Sequence, residues 1–189
     1  TNLLVSDSIS GLIIGKSTNT SVLTFGGATN ISGFITATGG TIQVNENLSS
    51  TKSGAITLCT NSLSISTGKT ISSGGQLAIS TQNTASTIGL AGATGTLSLP
   101  ASYFNSNFTD GFSSILIGSS HQLGSISANA FTLKDKMIFL TKSSLSLGGV
   151  ITLDSNDLTL GSEITSISGM PTNFIKTNKT GKVYRLINT

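Results

Sequence analysis

Three stretches of this chain align without gaps: GFITATGGTIQVN at 33–45, GAITLCTNSLSIS at 54–66 and GVITLDSNDLTLG at 149–161. Their apolar positions coincide. Ile35, Ile56 and Ile151 share one column, Ile42, Leu63 and Leu158 a second, and Val44, Ile65 and Leu160 a third. The first two copies lie 21 residues apart. A second echo, GLIIGKSTNTSVLTF at 11–25 against SILIGSSHQLGSISA at 114–128, gives Ile117 the place of Ile14 and sets Ile14 21 residues before Ile35.

A spacing near 20 residues that repeats, with short alternating runs between turn residues, predicts a β-solenoid. Runs such as ITL, TIQV, LAIS, TLSL and SLSL have period two, and Gly, Asn and Ser separate them. One coil cannot bury its own inward side chains. Stacking coils about 4.8 Å apart pairs the strands in parallel and places Ile on Ile and Leu on Leu. Glycine and asparagine suit the corners, where the backbone leaves the β region. A β-sandwich also alternates, but it gives no reason for a constant spacing. At 189 residues the chain is long enough for one domain with a substantial core, and roughly nine coils would make a rod about 40 Å long. The expected core stack is Ile14, Ile35, Ile42, Val44, Ile56, Leu63, Ile65, Ile117, Ile151, Leu158 and Leu160. Helical periodicity is missing except at 100–112, PASYFNSNFTDGF, where Pro100 could start a turn of helix packing Tyr103, Phe104 and Phe108.

Composition narrows the function classes. Only 9% of residues are charged, against 22 glycines and 2 prolines. Ser/Gly-rich chains often stay unfolded, yet 37% of this one is hydrophobic and its aliphatics recur on one face, which requires burial. The net charge of +3 is spread thinly. Its densest group, Lys176, Lys179, Lys182 and Arg185, reads as a solvated edge and not as a nucleic-acid patch. No run approaches the length of a membrane span and no signal-like segment opens the sequence. Its first residues fit either a processed end or a cut within a larger protein.

Chemistry is sparse. Glycoside hydrolysis requires two carboxylates at a set separation, and metal-assisted elimination requires several acids and a base. Only Asp154 and Asp157 are close neighbours, and they fall on the positions of Cys59 and Ser62 in the aligned copy, as turn decoration would. His121 sits in a turn-like stretch far from any acid. The lone Cys59 lies within the alternation and suits a small, partly buried residue. GLAGATG at 89–95 has neither the lysine nor the helix of a phosphate loop. The expectation is no enzyme activity, no catalytic residue, no cofactor and no metal.

Two longer stretches carry a resemblance. The run from Gly11 to Leu58, GLIIGKSTNTSVLTFGGATNISGFITATGGTIQVNENLSSTKSGAITL, and STIGLAGATGTLSLPASYFNSNFTDGFSSILIG at 86–118 resemble the repeats of large secreted bacterial surface proteins of the filamentous-haemagglutinin-like kind. The closing NDLTLGSEITSISGMPTNFIKTNKTGKVYRL is similar to a segment that often follows such repeats. Together these cover most of the chain. The resemblance implies a right-handed parallel β-helix, export to the cell surface or medium, and an adhesive or structural role; it transfers no site residue. Such proteins are usually far longer, so the chain reads as a fragment or a small member. The expectation is therefore an all-β right-handed β-helix (β-solenoid) with coils of about 21 residues over 1–189, secreted and non-enzymatic.

Its expected partners are itself, through open solenoid ends that could stack head to tail, or a host or environmental surface or glycan; no nucleic acid is expected. Threonines in ITATGGT and ISTGKTIS raise ice binding as a further alternative. The patterns NTS, NIS, NLS, NFT, NKT and DSI match glycosylation sequons, which arise readily by chance in so Ser/Thr-rich a chain.

Overall fold

The computed structural model describes residues 9–153, 157–169 and 175–177, the last as backbone. The strands follow one another as turns of a solenoid. The first turn is β1 (Gly11–Gly15), β2 (Val22–Phe25) and β3 (Thr29–Ile31); the second is β4 (Phe34–Val44) and β5 (Leu48–Ser50). The third is β6 (Ile56–Ile65) and β7 (Ile71–Ser73). The fourth holds β8 (Gln76–Ser80), β9 (Ile88–Leu90), β10 (Leu97–Leu99) and a π-helical turn at Tyr103–Asn107. Then come β11 (Ser114–Gly118), β12 (Ile126–Ala128) and β13 (Phe131–Leu133), and after them β14 (Met137–Leu140), β15 (Ser144–Leu147) and β16 (Ile151–Leu153). The last described turn is β17 (Leu158–Leu160), β18 (Ser166–Ser168) and β19 (Ile175–Thr177).

Every described pairing is parallel and joins strands of neighbouring turns, except that of β9 with β10 inside the fourth turn. The result is a β-solenoid of about seven turns with three faces. The first face is a continuous sheet in the order β1-β4-β6-β8-β11-β14-β17. The second is formed by β2 and the far halves of β4 and β6, then by the sheet β10-β9-β12-β15-β18. The third is β3-β5-β7, continued by β13-β16-β19.

Register shows where the expected stack holds and where it moves. On the first face Leu12, Ile35, Ile56, Leu77, Ile115, Met137 and Leu158 lie in one inward column. Ile14, Ala37, Leu58, Ile79, Ile117, Phe139 and Leu160 form the next. Ile42 stacks on Leu63 and Val44 on Ile65, on the second face. Ile35, Ile42, Val44, Ile56, Ile117 and Ile151 are fully buried; Leu63 and Leu158 are nearly so. Ile14, Ile65 and Leu160 are half-buried against the core.

Four expectations change. Ile14 pairs with Ala37, not Ile35, because the connection from Gly15 to Val22 lengthens the first turn to 23 residues between paired positions. Ile151 lies on the third face, beside Phe131, not under Ile35 and Ile56. Leu158 and Leu160 lie in first-face columns, not on Leu63 and Ile65. The cause is the corner. In β6 the chain continues from Ile56 to Ile65 as one strand across two faces, whereas the similar 149–161 stretch is divided between β16 and β17, on different faces. Finally, the described residues make about seven turns; the fourth takes 38 residues, from Leu77 to Ile115, instead of 21, which uses up most of one expected turn.

The corners have their own chemistry. Thr60, Thr81 and Thr141 turn inward between the first and second faces and are almost wholly buried. Each hydroxyl closes a local turn: Thr60 Oγ1 donates to Ser62 O at 2.8 Å, Thr81 Oγ1 to Asn83 O at 2.8 Å, and Thr141 Oγ1 accepts Ser143 N–H at 3.0 Å. A buried hydroxyl costs free energy unless bonded, and these bonds meet that cost while bending the chain. At the corner that re-enters the first face, Gly33, Gly54 and Gly75 stack at 21-residue intervals. A Cβ on Gly54 would collide with the Gly33 carbonyl, which explains the glycine that opens the first two repeated lines; Gly149, which opens the third, lies at the corner before the third face, where a Cβ would collide with Ala130. Ser50 and Ser73 donate to Gly33 O and Gly54 O at 2.8 and 2.6 Å across the same corner.

Candidate binding groove and outer faces

The fourth turn breaks the repeat. After β8 the chain rises into β9, folds back through Ala91 and Gly92, both at positive φ, and lays β10 against β9 on the β6 side. Gly89 and Gly95 of the GLAGATG stretch are there because backbone passes over backbone; a Cβ on either would collide with the other strand of the loop. The expected helical turn after Pro100 is present as a π-helix, and it buries Tyr103, Phe104 and Phe108. Tyr103 Oη accepts Ile65 N–H at 3.1 Å and donates to Leu63 O at 3.0 Å, tying the excursion to β6. Burial raises the Tyr103 pKa despite the Ile65 N–H. Phe104 stacks on Phe131 with ring centroids 4.4 Å apart and meets Phe108 edge-on at 5.5 Å. Phe108 then bridges to Ile71, which restores the third face.

Between this turn and the β13–β14 corner lies a groove of about 370 Å³. Phe104, Phe108 and Leu133 form its apolar part; Asn105, Ser106, Thr109 and Thr132 supply neutral polar groups; Asp110, Lys134 and Asp135 supply charge. Lys134 Nζ is 3.9 Å from Asp110 Oδ2 in an exposed pair. Asp135 is only 5% exposed, and its Oδ1 accepts Gly111 N–H at 3.0 Å. Burial chiefly raises its pKa, opposed by the Gly111 and Phe112 N–H groups and by Lys134, and assisted by Asp110. Sequence reading missed this groove because its residues lie on two turns; the available signal was the interval from Ile79 to Ile117, too long for one coil.

The other candidates lie elsewhere. Asp154 falls outside the described residues, as do Lys179, Lys182, Arg185 and the NKT sequon; Asp157 is exposed. His121 is exposed at a turn, with its Nδ1 3.2 Å from Ser120 Oγ. Cys59 is half-buried on the first face, its thiol directed to Thr81 O at 3.6 Å. Asn107 of the NFT sequon is buried and donates to Lys69 O at 2.8 Å, so its amide is occupied. No group of three or more His, Cys, Asp or Glu able to hold a metal is found among the described residues. In those residues no helix is long and apolar enough to cross a membrane.

The outer faces differ. Ser98, Ser127, Ser146 and Ser168 fall in one outward column of the second face, with Gly89 among them. On the third face Asn30, Ser49 and Ser72 align, and higher up Thr132 and Thr152. The first face instead carries Ile13, Thr36, Thr57, Ala78, Leu116, Ile138 and Thr159. Thr36 and Thr38 point outward there, while Thr67 and Thr70 belong to the corner after β6. The two threonine stretches thus form no common array.

The chain matches no protein-family model, no curated protein and no solved structure. The β-solenoid therefore rests on its own strand register.

Proposed function

We propose that this chain is a structural or adhesive β-solenoid rod, exported and displayed at a bacterial surface or in the medium. The observation that carries this reading is the run of parallel rungs whose outward columns on the second and third faces are largely serine, threonine and asparagine. Two hydroxyl-rich faces keep a weakly charged chain hydrated and present a repetitive polar surface to whatever they meet. The likeness of its repeats to filamentous-haemagglutinin-like adhesins supports export and adhesion. Beads coated with the purified chain are expected to stay on cell or polysaccharide surfaces after washing. Retention no better than that of an inert protein sinks the adhesive role.

A second reading is self-assembly. Leu12, Ile14 and Leu23 are only half-buried in the first turn, and Ile13, Val22 and Phe34 are exposed nearby. A strand edge with aliphatics beside it can take another rung, from a second copy or from a longer stretch of the same chain. Electron microscopy at rising concentration is expected to show fibres with a repeat of about 35 Å, seven rungs at the strand spacing. Short particles at every concentration count against it.

A further inference from the structure

We propose that the groove between the π-helical turn and the β13–β14 corner binds a neutral carbohydrate, one or two pyranose rings in size. The assignment rests on the adhesive role above and gives it a ligand class. Three observations lead to it.

The first is construction. The fourth turn spends 38 residues where its neighbours spend 21 or 22, and π-helical geometry is rare and concentrated at functional sites. Tyr103, Asn107 and Asp135 each spend a side chain on fixing this excursion to the solenoid. The groove is thus held by bonds from β6, from the corner after it and from the β13–β14 corner, so its walls are in place before a ligand arrives. Preformed walls avoid the ordering cost that weakens binding by loose segments.

The second is size. About 370 Å³ falls in the small-ligand range, and a mono- or disaccharide fits where a folded partner does not.

The third is the sign of the lining. Asp110 and Asp135 disfavour sulfated, sialylated or phosphorylated ligands, while Lys134 lies in the same groove and already faces Asp110. An ammonium ligand would compete with that lysine. A neutral polyol uses both kinds of group at once: hydroxyls donate to Asp110 and accept from Lys134. Asn105, Ser106, Thr109 and Thr132 can do either. Phe104, Phe108 and Leu133 are almost wholly buried and floor the groove with a small apolar patch that the C–H side of a ring can touch.

The test uses the whole chain. A printed array of neutral, sulfated and sialylated oligosaccharides identifies a binder, and titration calorimetry with that oligosaccharide measures it. Ser106→Trp and Thr132→Trp place bulk at exposed rim positions, where folding is not at stake, and circular dichroism checks that it is kept. Each is expected to abolish neutral-glycan binding. Asp110→Ala is expected to weaken it about tenfold or more, the loss of a hydrogen bond to a charged group. Ser127→Ala, on the outer second face, is expected to leave it unchanged. Binding of no neutral glycan at millimolar concentration overturns the proposal, as does binding only of anionic glycans or amines. Glycan binding that survives both tryptophans also overturns the groove, yet leaves the adhesive rod standing. Loss of bead retention with groove binding intact has the opposite meaning.

Discussion

At the scale of single residues, Asp135 shows how a charge is tolerated in a chain that has few. Its carboxylate holds the Thr109–Ser113 bend in place through the Gly111 and Phe112 N–H groups, but burial and Asp110 outweigh them and raise its pKa. A carboxyl whose folded pKa lies above its unfolded one binds protons more readily when folded. Its burial therefore costs stability in full above the folded pKa, and that cost disappears as pH falls to the ordinary aspartate range. Through Asp135, denaturant midpoints are expected to rise as pH falls through its folded pKa towards the ordinary aspartate range, the reverse of the usual carboxylate behaviour. Asp135→Asn keeps an acceptor for Gly111 and removes the charge, so that part of the slope is expected to vanish. An unchanged slope in the variant means another group is responsible. Tyr103 makes a complementary case. Tyr103→Phe leaves Ile65 N–H and Leu63 C=O without their partner beneath the excursion, a loss of about 1–3 kcal/mol. Urea unfolding of the purified variant measures it, and no change means that water reaches those groups.

At the scale of elements, the alternation and the glycine of each repeated line were legible because they follow from local rules. Inward strand positions must be largely apolar, and Gly33, Gly54 and Gly75 must lack a Cβ where the second, third and fourth turns enter the first face. What the sequence did not show was the direction taken at each corner. GAITLCTNSLSIS and GVITLDSNDLTLG share their apolar pattern, yet the first stays one strand through a buried threonine, while the second divides between the third and first faces. Period-two patterning is blind to that choice because both faces bury apolar residues of the same kind. The groove was hidden for a related reason: Phe104 and Phe131, or Asp110 and Lys134, are brought together only by stacking. Ile56 tests the columns directly. It is fully buried between Ile35 and Leu77, so Ile56→Ala is expected to cost about 2–5 kcal/mol. Ile56→Asp, an unpaired charge in the same column, is expected to prevent folding. A soluble aspartate variant that melts cooperatively would falsify this account of the core.

At the scale of the whole molecule, stability in a solenoid is a sum of each turn's own terms and its contacts with the turns on either side. Those contacts are unequal here. β4 and β6 share a ladder of nine paired positions across two faces, whereas the pairs β12–β15 and β15–β18 share three each. The fourth turn adds Tyr103 and Asn107 to the β6–β7 side of the rod, and Gln122 reaches down to Thr81 Oγ1 at 2.8 Å. The second and third turns are therefore bound by a long ladder, and side chains that cross between turns tie the third to the fourth and the fourth to the fifth. Above them, the second face has only short ladders, supported by the Thr141 hydroxyl bond to Gly124 O at 2.8 Å and by the exposed Lys142–Glu163 pair. Amide hydrogen exchange is expected to be slowest in β4, β6 and β8, and faster by orders of magnitude in β15 and β18, since local opening costs less where fewer contacts are lost. Tyr103→Phe is expected to speed exchange in β6 without affecting β15. Uniform protection from β4 to β18 points instead to a single cooperative unit, in which the long fourth turn transmits stability up the rod and does not divide it.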